Sequence, residues 1–195
     1  MGVLGGCRVS FLVHPFSERW TCLGVTAKTS ATIQPMAKKI HKTNAMRLLE
    51  NAGVSYRTAS YEVDENDLGG VHVAELLGQP PEQVFKTLVL QGERIPHLVC
   101  CIPSNCELDL KKVARVAGDK RVEMIPMKQL LPLTGYVRGG CSPLGMKKQF
   151  PTFIDETGIL FDEIAVSAGE RGEQIIVNAE ELAQFVGATL ADLCM

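Results

Sequence analysis

Phe85-Lys86-Thr87-Leu88-Val89-Leu90-Gln91-Gly92-Glu93-Arg94-Ile95-Pro96-His97-Leu98-Val99-Cys100-Cys101-Ile102 reads as two strands and the turn between them. The two runs, 85–91 and 95–102, are apolar and rich in β-branched residues, which favour a pleated surface. Gly92-Glu93-Arg94 gives a hairpin-like connection. Upstream, Thr43 can cap a helix that ends before Gly53, 54–62 suits a strand, 64–70 is a polar loop, and 71–77 is a short helix stopped by Gly78. Downstream, Asp109 caps a helix over 110–117, 122–124 is a short strand, and 126–131 is a helical turn. Short strands are expected at 153–155, 158–161, 163–167 and 174–177, before a helix from Asn178 to Val186 closed by Gly187. Helices alternate with strands, yet several strands are joined by tight turns. The expected fold is an α/β chain of the α+β type, one compact domain with a mixed, mostly antiparallel sheet and surrounding helices.

The chain has 195 residues, 46% apolar and 22% charged, enough for one domain with a real core. No apolar run approaches the ~18 residues of a membrane span. Residues 1–35 lack periodicity, and Val9–Val13 is interrupted by His14 and Pro15, so they do not make a secretory signal. Met36-Ala37-Lys38-Lys39 looks like a natural start. Residues 1–35 are expected to be a disordered arm or to precede the true start, leaving 36–195 as the domain. That remainder holds 17 basic and 21 acidic residues, so any RNA contact must come from local basic clusters. Seven cysteines, an odd number without C-x-x-C, and four scattered histidines predict reduced thiols in a cytoplasmic protein with no metal site and no cofactor.

Two features carry candidate chemistry. Lys86 stands inside an apolar strand, sharing a face with Leu88 and Leu90 while Phe85, Thr87 and Val89 take the other. Such a lysine is either an edge residue whose head reaches water or a cation aimed into a pocket. Arg138-Gly139-Gly140-Cys141-Ser142-Pro143-Leu144-Gly145 packs three glycines and a proline into eight residues. That segment is a plain connecting turn, or else a loop that points N–H groups at a developing oxyanion. Gly169-Glu170-Arg171-Gly172 is explained by turn chemistry. Lys111, Lys112 and Arg115, the pair Lys120-Arg121 and the pair Lys147-Lys148 are solvated faces or RNA-facing patches. Cys141 lacks a neighbouring base in sequence, and Ser142 lacks the nucleophile-elbow pattern.

Five segments in order and spacing resemble the YbaK/EbsC family of aminoacyl-tRNA deacylases. They are 84–88, 108–114, 120–124, 134–145 and 166–172, and the resemblance extends over nearly all of 42–193. It implies the editing-domain fold shared with bacterial prolyl-tRNA synthetases. It makes Lys86 the key catalytic residue and places Tyr61, Thr87, Gly139, Gly140, Ser142 and Ser167 in the substrate pocket. Gln174 stands where some members have an acidic residue, so no role is carried to it. Cys141 replaces an aliphatic residue usual in the loop, a change expected to alter pocket width.

The resemblance further implies trans-editing of Cys-tRNA(Pro), and of Cys-tRNA(Cys), with the substrate's own thiol cleaving the ester. Such a mechanism needs no Ser/His/Asp or Cys/His constellation, and none is evident. The alternatives are hydrolytic clearing of alanine from tRNA(Pro) and a non-catalytic RNA-binding module. Expected partners are aminoacyl-tRNA and prolyl-tRNA synthetase, with no membrane.

Overall fold

The computed structural model describes residues 41–195; the expectations for residues 1–35 and for a start at Met36 lie outside them. In chain order the elements are α1 (Asn44–Ala52), β1 (Arg57–Ser60), α2 (Gly70–Leu77), β2 (Phe85–Gly92), β3 (Leu98–Pro103), α3 (Leu110–Ala117) and β4 (Val122–Met124). There follow α4 (Met127–Thr134), β5 (Thr152–Asp155), β6 (Ile164–Ser167), β7 (Glu173–Val177), α5 (Ala179–Val186) and β8 (Thr189–Ala191). The caps explain most boundaries. Thr43 accepts from Met46 N, Asp109 from Lys111 and Lys112 N, and Asn178 from Glu180 and Glu181 N.

The strands divide between two sheets, a five-stranded one ordered β4-β2-β3-β5-β8 and a three-stranded one ordered β1-β7-β6. The ladders β2/β3, β2/β4, β1/β7 and β6/β7 are antiparallel; β3/β5 and β5/β8 are parallel. Between the sheets runs an isolated parallel bridge, Val84 to Ala165. Side chains supply the rest of the joint: Phe85, Val89, Val99 and Cys101 of the large sheet pack with Ile164, Val166, Ile175 and Val177 of the small one. Leu90, Leu98, Cys100 and Ile102 face the other way, against Val113 of α3. The period-2 alternation expected of β2 is therefore present.

The hairpin turn between β2 and β3 is clamped by Asp119, whose carboxylate accepts from Arg94 N at 2.9 Å and Ile95 N at 2.8 Å. A Cβ at position 92 would run into that carboxylate, so the turn needs glycine there.

Three expectations are corrected. Residues 158–161 are not a strand: Glu156–Leu160 forms a 3-10 turn, started by Asp155 accepting from Thr157 N at 3.1 Å. The second hairpin strand starts at Leu98 rather than Ile95, because Ile95 O closes the turn onto Gly92 N and Pro96 has no N–H to give a ladder. β8 was not expected; its three residues follow α5 after only two intervening residues, and only pairing with β5 makes them a strand.

Candidate active site

Lys86 projects from β2 and donates its Nζ to the carbonyl of Ser104 at 3.0 Å. Ser104 is buried and fixed in turn, its hydroxyl donating to Pro81 O at 2.9 Å. Among the described residues Lys86 takes part in no ion pair. Its charge is therefore held by a carbonyl dipole on the wall of a cavity of about 600 Å³, within the range of small-ligand pockets.

Five parts of the fold wall that cavity: β2, the first turn of α2, the loop residues Arg138, Gly139 and Cys141, the neighbouring residues Ser167 of β6 and Gln174 of β7, and the β4–α4 junction with Met124, Ile125, Met127 and Leu130. The first turn of α2 comes close because residue 70 is glycine; a Cβ there would lie 2.7 Å from Ser104 Cβ. The N-cap, Gly69, makes no side-chain cap bond, and Gly69 and Gly70 line the same cavity as Lys86. The positive end of this helix therefore borders that space, beside Asp67, whose carboxylate accepts from Gly69 N at 2.8 Å.

The 139–145 loop is braced from inside. Tyr136 donates its hydroxyl to Leu144 O at 2.5 Å, and Ser142 Oγ accepts from Leu144 N at 3.2 Å. Gly139 sits at φ 82°, where a side chain is strained. The Gly169–Gly172 turn supports the loop from behind: Arg171 Nε donates to Arg138 O at 2.9 Å while its Nη1 pairs with Glu65 at 2.6 Å.

Of the residues expected in the pocket, Tyr61, Lys86, Thr87, Gly139 and Ser167 line the cavity together. Gly140 and Ser142 do not. Ser142 is fully buried and its hydroxyl is spent on Leu144 N; Gly140 packs against the backbone of Glu170 and Arg171, 3.4 Å from where a Cβ would stand. Both are loop framework rather than lining.

Cys141 reaches the cavity, but burial pushes its thiol up to about 12, so it is protonated at neutral pH and a poor nucleophile. Of the basic groups, Lys112 is engaged with Asp192 and Cys194 O, Lys120 with Glu93, and Arg121 with Glu123. Arg138, exposed, remains at the cavity mouth.

Three lining features were given no role in the sequence reading. His72 lies 3.9 Å from Asp64 and 3.7 Å from Glu75. Gln174 is buried, and its Oε1 has no hydrogen-bond partner among the described residues. The third is the positive end of α2. Gly69-Gly70 ahead of an apolar helix was the available signal for the last, and a polar residue heading the run Ile175-Ile176-Val177 for Gln174.

The family model of the aminoacyl-tRNA editing domain matches residues 71–185, which include Lys86, the 139–145 loop, Ser167 and Gln174. The chain belongs to the aminoacyl-tRNA editing domain family. This editing domain is 46% identical over 160 residues to an Enterococcus faecalis protein provisionally named Cys-tRNA(Pro)/Cys-tRNA(Cys) deacylase EbsC, covering 81% of this chain and 98% of that one. It is 24% identical over 171 residues to a proline–tRNA ligase of Trichlorobacter lovleyi, covering 87% of this chain and 29% of the ligase. Its fold is that of a crystal structure described as a provisional trans-editing enzyme for prolyl tRNA synthetase, with a TM-score of 0.67 at 24% identity, covering 76% of this chain and 93% of that one. Among the described residues, no helix of the editing domain is long and apolar enough to cross a membrane.

Proposed function

We propose that this editing domain acts in trans, in the cytoplasm, to deacylate Cys-tRNA(Pro) and Cys-tRNA(Cys). The observation that carries the reading is the shared cavity of Lys86, the positive end of α2 and Gly139, which offers positive charge and close main-chain approach without a activated protein nucleophile. The name given to the Enterococcus faecalis relative supports the same substrates, and the names of the proline–tRNA ligase and of the trans-editing structure support a link to prolyl-tRNA synthetase.

The chemistry is the one the family resemblance implies, and it suits a cavity without an activated protein nucleophile. The substrate's own thiol attacks the ester carbonyl; a C–S bond forms, the C–O bond to the terminal ribose breaks, and the thiol proton ends on the ribose oxygen. The products are a cyclic thiolactone and free tRNA. The protein's task is to fold the cysteinyl group onto its own ester and to steady the negative oxygen. Lys86 is the group placed for that oxygen or for the adjacent phosphate. Tyr61, Thr87, Gly139 and Ser167 shape the space around the aminoacyl group. Prolyl-tRNA synthetase is the proposed partner that channels charged tRNA(Pro) to the site.

Deacylation is measured with cysteine-, alanine- and serine-charged tRNA(Pro), identifying the released product. Rapid loss of cysteine as thiolactone, with much slower loss of serine, is expected, since a hydroxyl is the weaker nucleophile. Faster loss of alanine would assign the site to water-dependent hydrolysis instead. Binding without turnover of any substrate would make this a non-catalytic module.

A further inference from the structure

Beside the polar part of the cavity lies a surface that the reaction above does not use. Met124, at the end of β4, and Met127, at the start of α4, both line the mouth, and both are largely exposed, at 46% and 58%. Leu130, half-buried, and Ile125, buried, lie in the same wall. Exposed apolar groups scattered singly need no explanation, but a group of them on the rim of a functional cavity marks a binding surface.

We propose that Met124 and Met127 form the shelf on which the adenine ring of the substrate's 3′-terminal nucleoside rests. The proposal rests on the deacylase reading. Every aminoacyl-tRNA ester is made to the ribose of a terminal adenosine, so an aromatic base lies one sugar away from the reacting carbonyl. A cavity of about 600 Å³ has room for that nucleoside as well as the amino acid. Bases displaced from a stack are held between apolar or aromatic side chains, and the polarisable sulfur of methionine is well matched to a ring.

The shelf is rigidly placed. Met124 is paired with Leu90, four positions along β2 from Lys86, or about 13 Å of strand. The lysine side chain and a ribose share that span. Pro126 precedes α4 and fixes the bend between the two methionines. Arg138 at the mouth supplies charge for the attached phosphate.

The test uses the full chain with 13C-methyl-labelled methionine, titrated with adenosine carrying a 3′-cysteinylamide in place of the ester. Ring current is expected to move the Met124 and Met127 methyl signals upfield while the fully buried Met46 stays in place. Met127→Ser should weaken binding of this analogue about three- to tenfold and raise KM without changing kcat. An analogue lacking the base should bind wild type and Met127→Ser equally. Unmoved methionine methyls in a bound complex, or equal affinity with and without the base, overturn the shelf. If deacylation persists in that case, the deacylase reading stands alone; if neither binding nor deacylation occurs, both fail.

Discussion

The ammonium of Lys86 is tethered, 3.0 Å from the carbonyl of Ser104, and not neutralised by any carboxylate among the described residues. A carbonyl dipole orients the charge without cancelling it, so the group stays available to a developing anion. Lys86→Ala is expected to lower deacylation of Cys-tRNA(Pro) by about 10²-fold or more. Lys86→Arg should recover little, because a planar fork does not replace a point charge in this setting. Thermal melting of both variants should stay near wild type. An unimpaired rate in Lys86→Ala would remove this residue from the chemistry.

Gly70 and Ser104 are in such close approach that the helix and the lysine tether are mechanically linked. Gly70→Ala would place a methyl 2.7 Å from Ser104 Cβ, and relief requires a shift of α2 or of the Ser104 backbone. A loss of about 1–3 kcal/mol in stability is expected, together with reduced turnover. Adding Ser104→Gly should restore part of both, a coupling readable in a double-mutant cycle.

Tyr136 holds the far end of the 139–145 loop through its bond to Leu144 O. Tyr136→Phe keeps the ring and leaves that carbonyl without its donor, at a cost of about 1–3 kcal/mol. The loosened loop should raise KM more than it lowers kcat, measured by steady-state deacylation.

The β2–β3 turn should carry an acid-sensitive share of the stability. Bonds from Ile95 N, with those from Arg94 and Lys120 N, hold the Asp119 carboxyl at about 2, against an ordinary 3.8. A carboxyl depressed in the folded state stabilises fully above its unfolded value and loses that contribution as pH falls through 3.8 towards 2. Asp119→Asn should therefore be less stable than wild type at neutral pH, and the gap should close as the pH is lowered across that window. A gap independent of pH would contradict the assignment.

Cys141 is buried, with its thiol pushed up to about 12. Cys141→Ala should retain turnover, and alkylation of this thiol by iodoacetamide should be slow at neutral pH. Abolished turnover in a folded Cys141→Ala variant would reinstate it as a nucleophile.

Much of this architecture was legible in the residues. Thr43, Asp109 and Asn178 announce their helices because capping is local chemistry, and the alternation in 85–90 announces its two faces. Non-local terms decided the remainder. β8 exists through its parallel neighbour, and the 3-10 turn exists because Asp155 takes the Thr157 N–H. In the site, Lys86 and Gly139 stood out as a cation among apolar residues and as a glycine within a crowded loop. Ser142 looked equally polar and equally placed, but its hydroxyl turns inward to its own loop, which spacing alone does not reveal. Gln174 gave the opposite error, since its unpaired oxygen becomes visible only once burial is known.

The isolated backbone bridge at Val84–Ala165 has a bearing on how the protein can evolve. Because the two sheets lean on each other chiefly through interdigitated aliphatic groups, the aperture above Lys86 is tuned by core residues such as Ile164 and Val99, which do not line the cavity. Trimming or adding a methylene there would tilt one sheet against the other and resize the opening while every pocket-lining side chain stayed the same. Substrate choice can therefore drift through the interior of the molecule, leaving its chemistry intact.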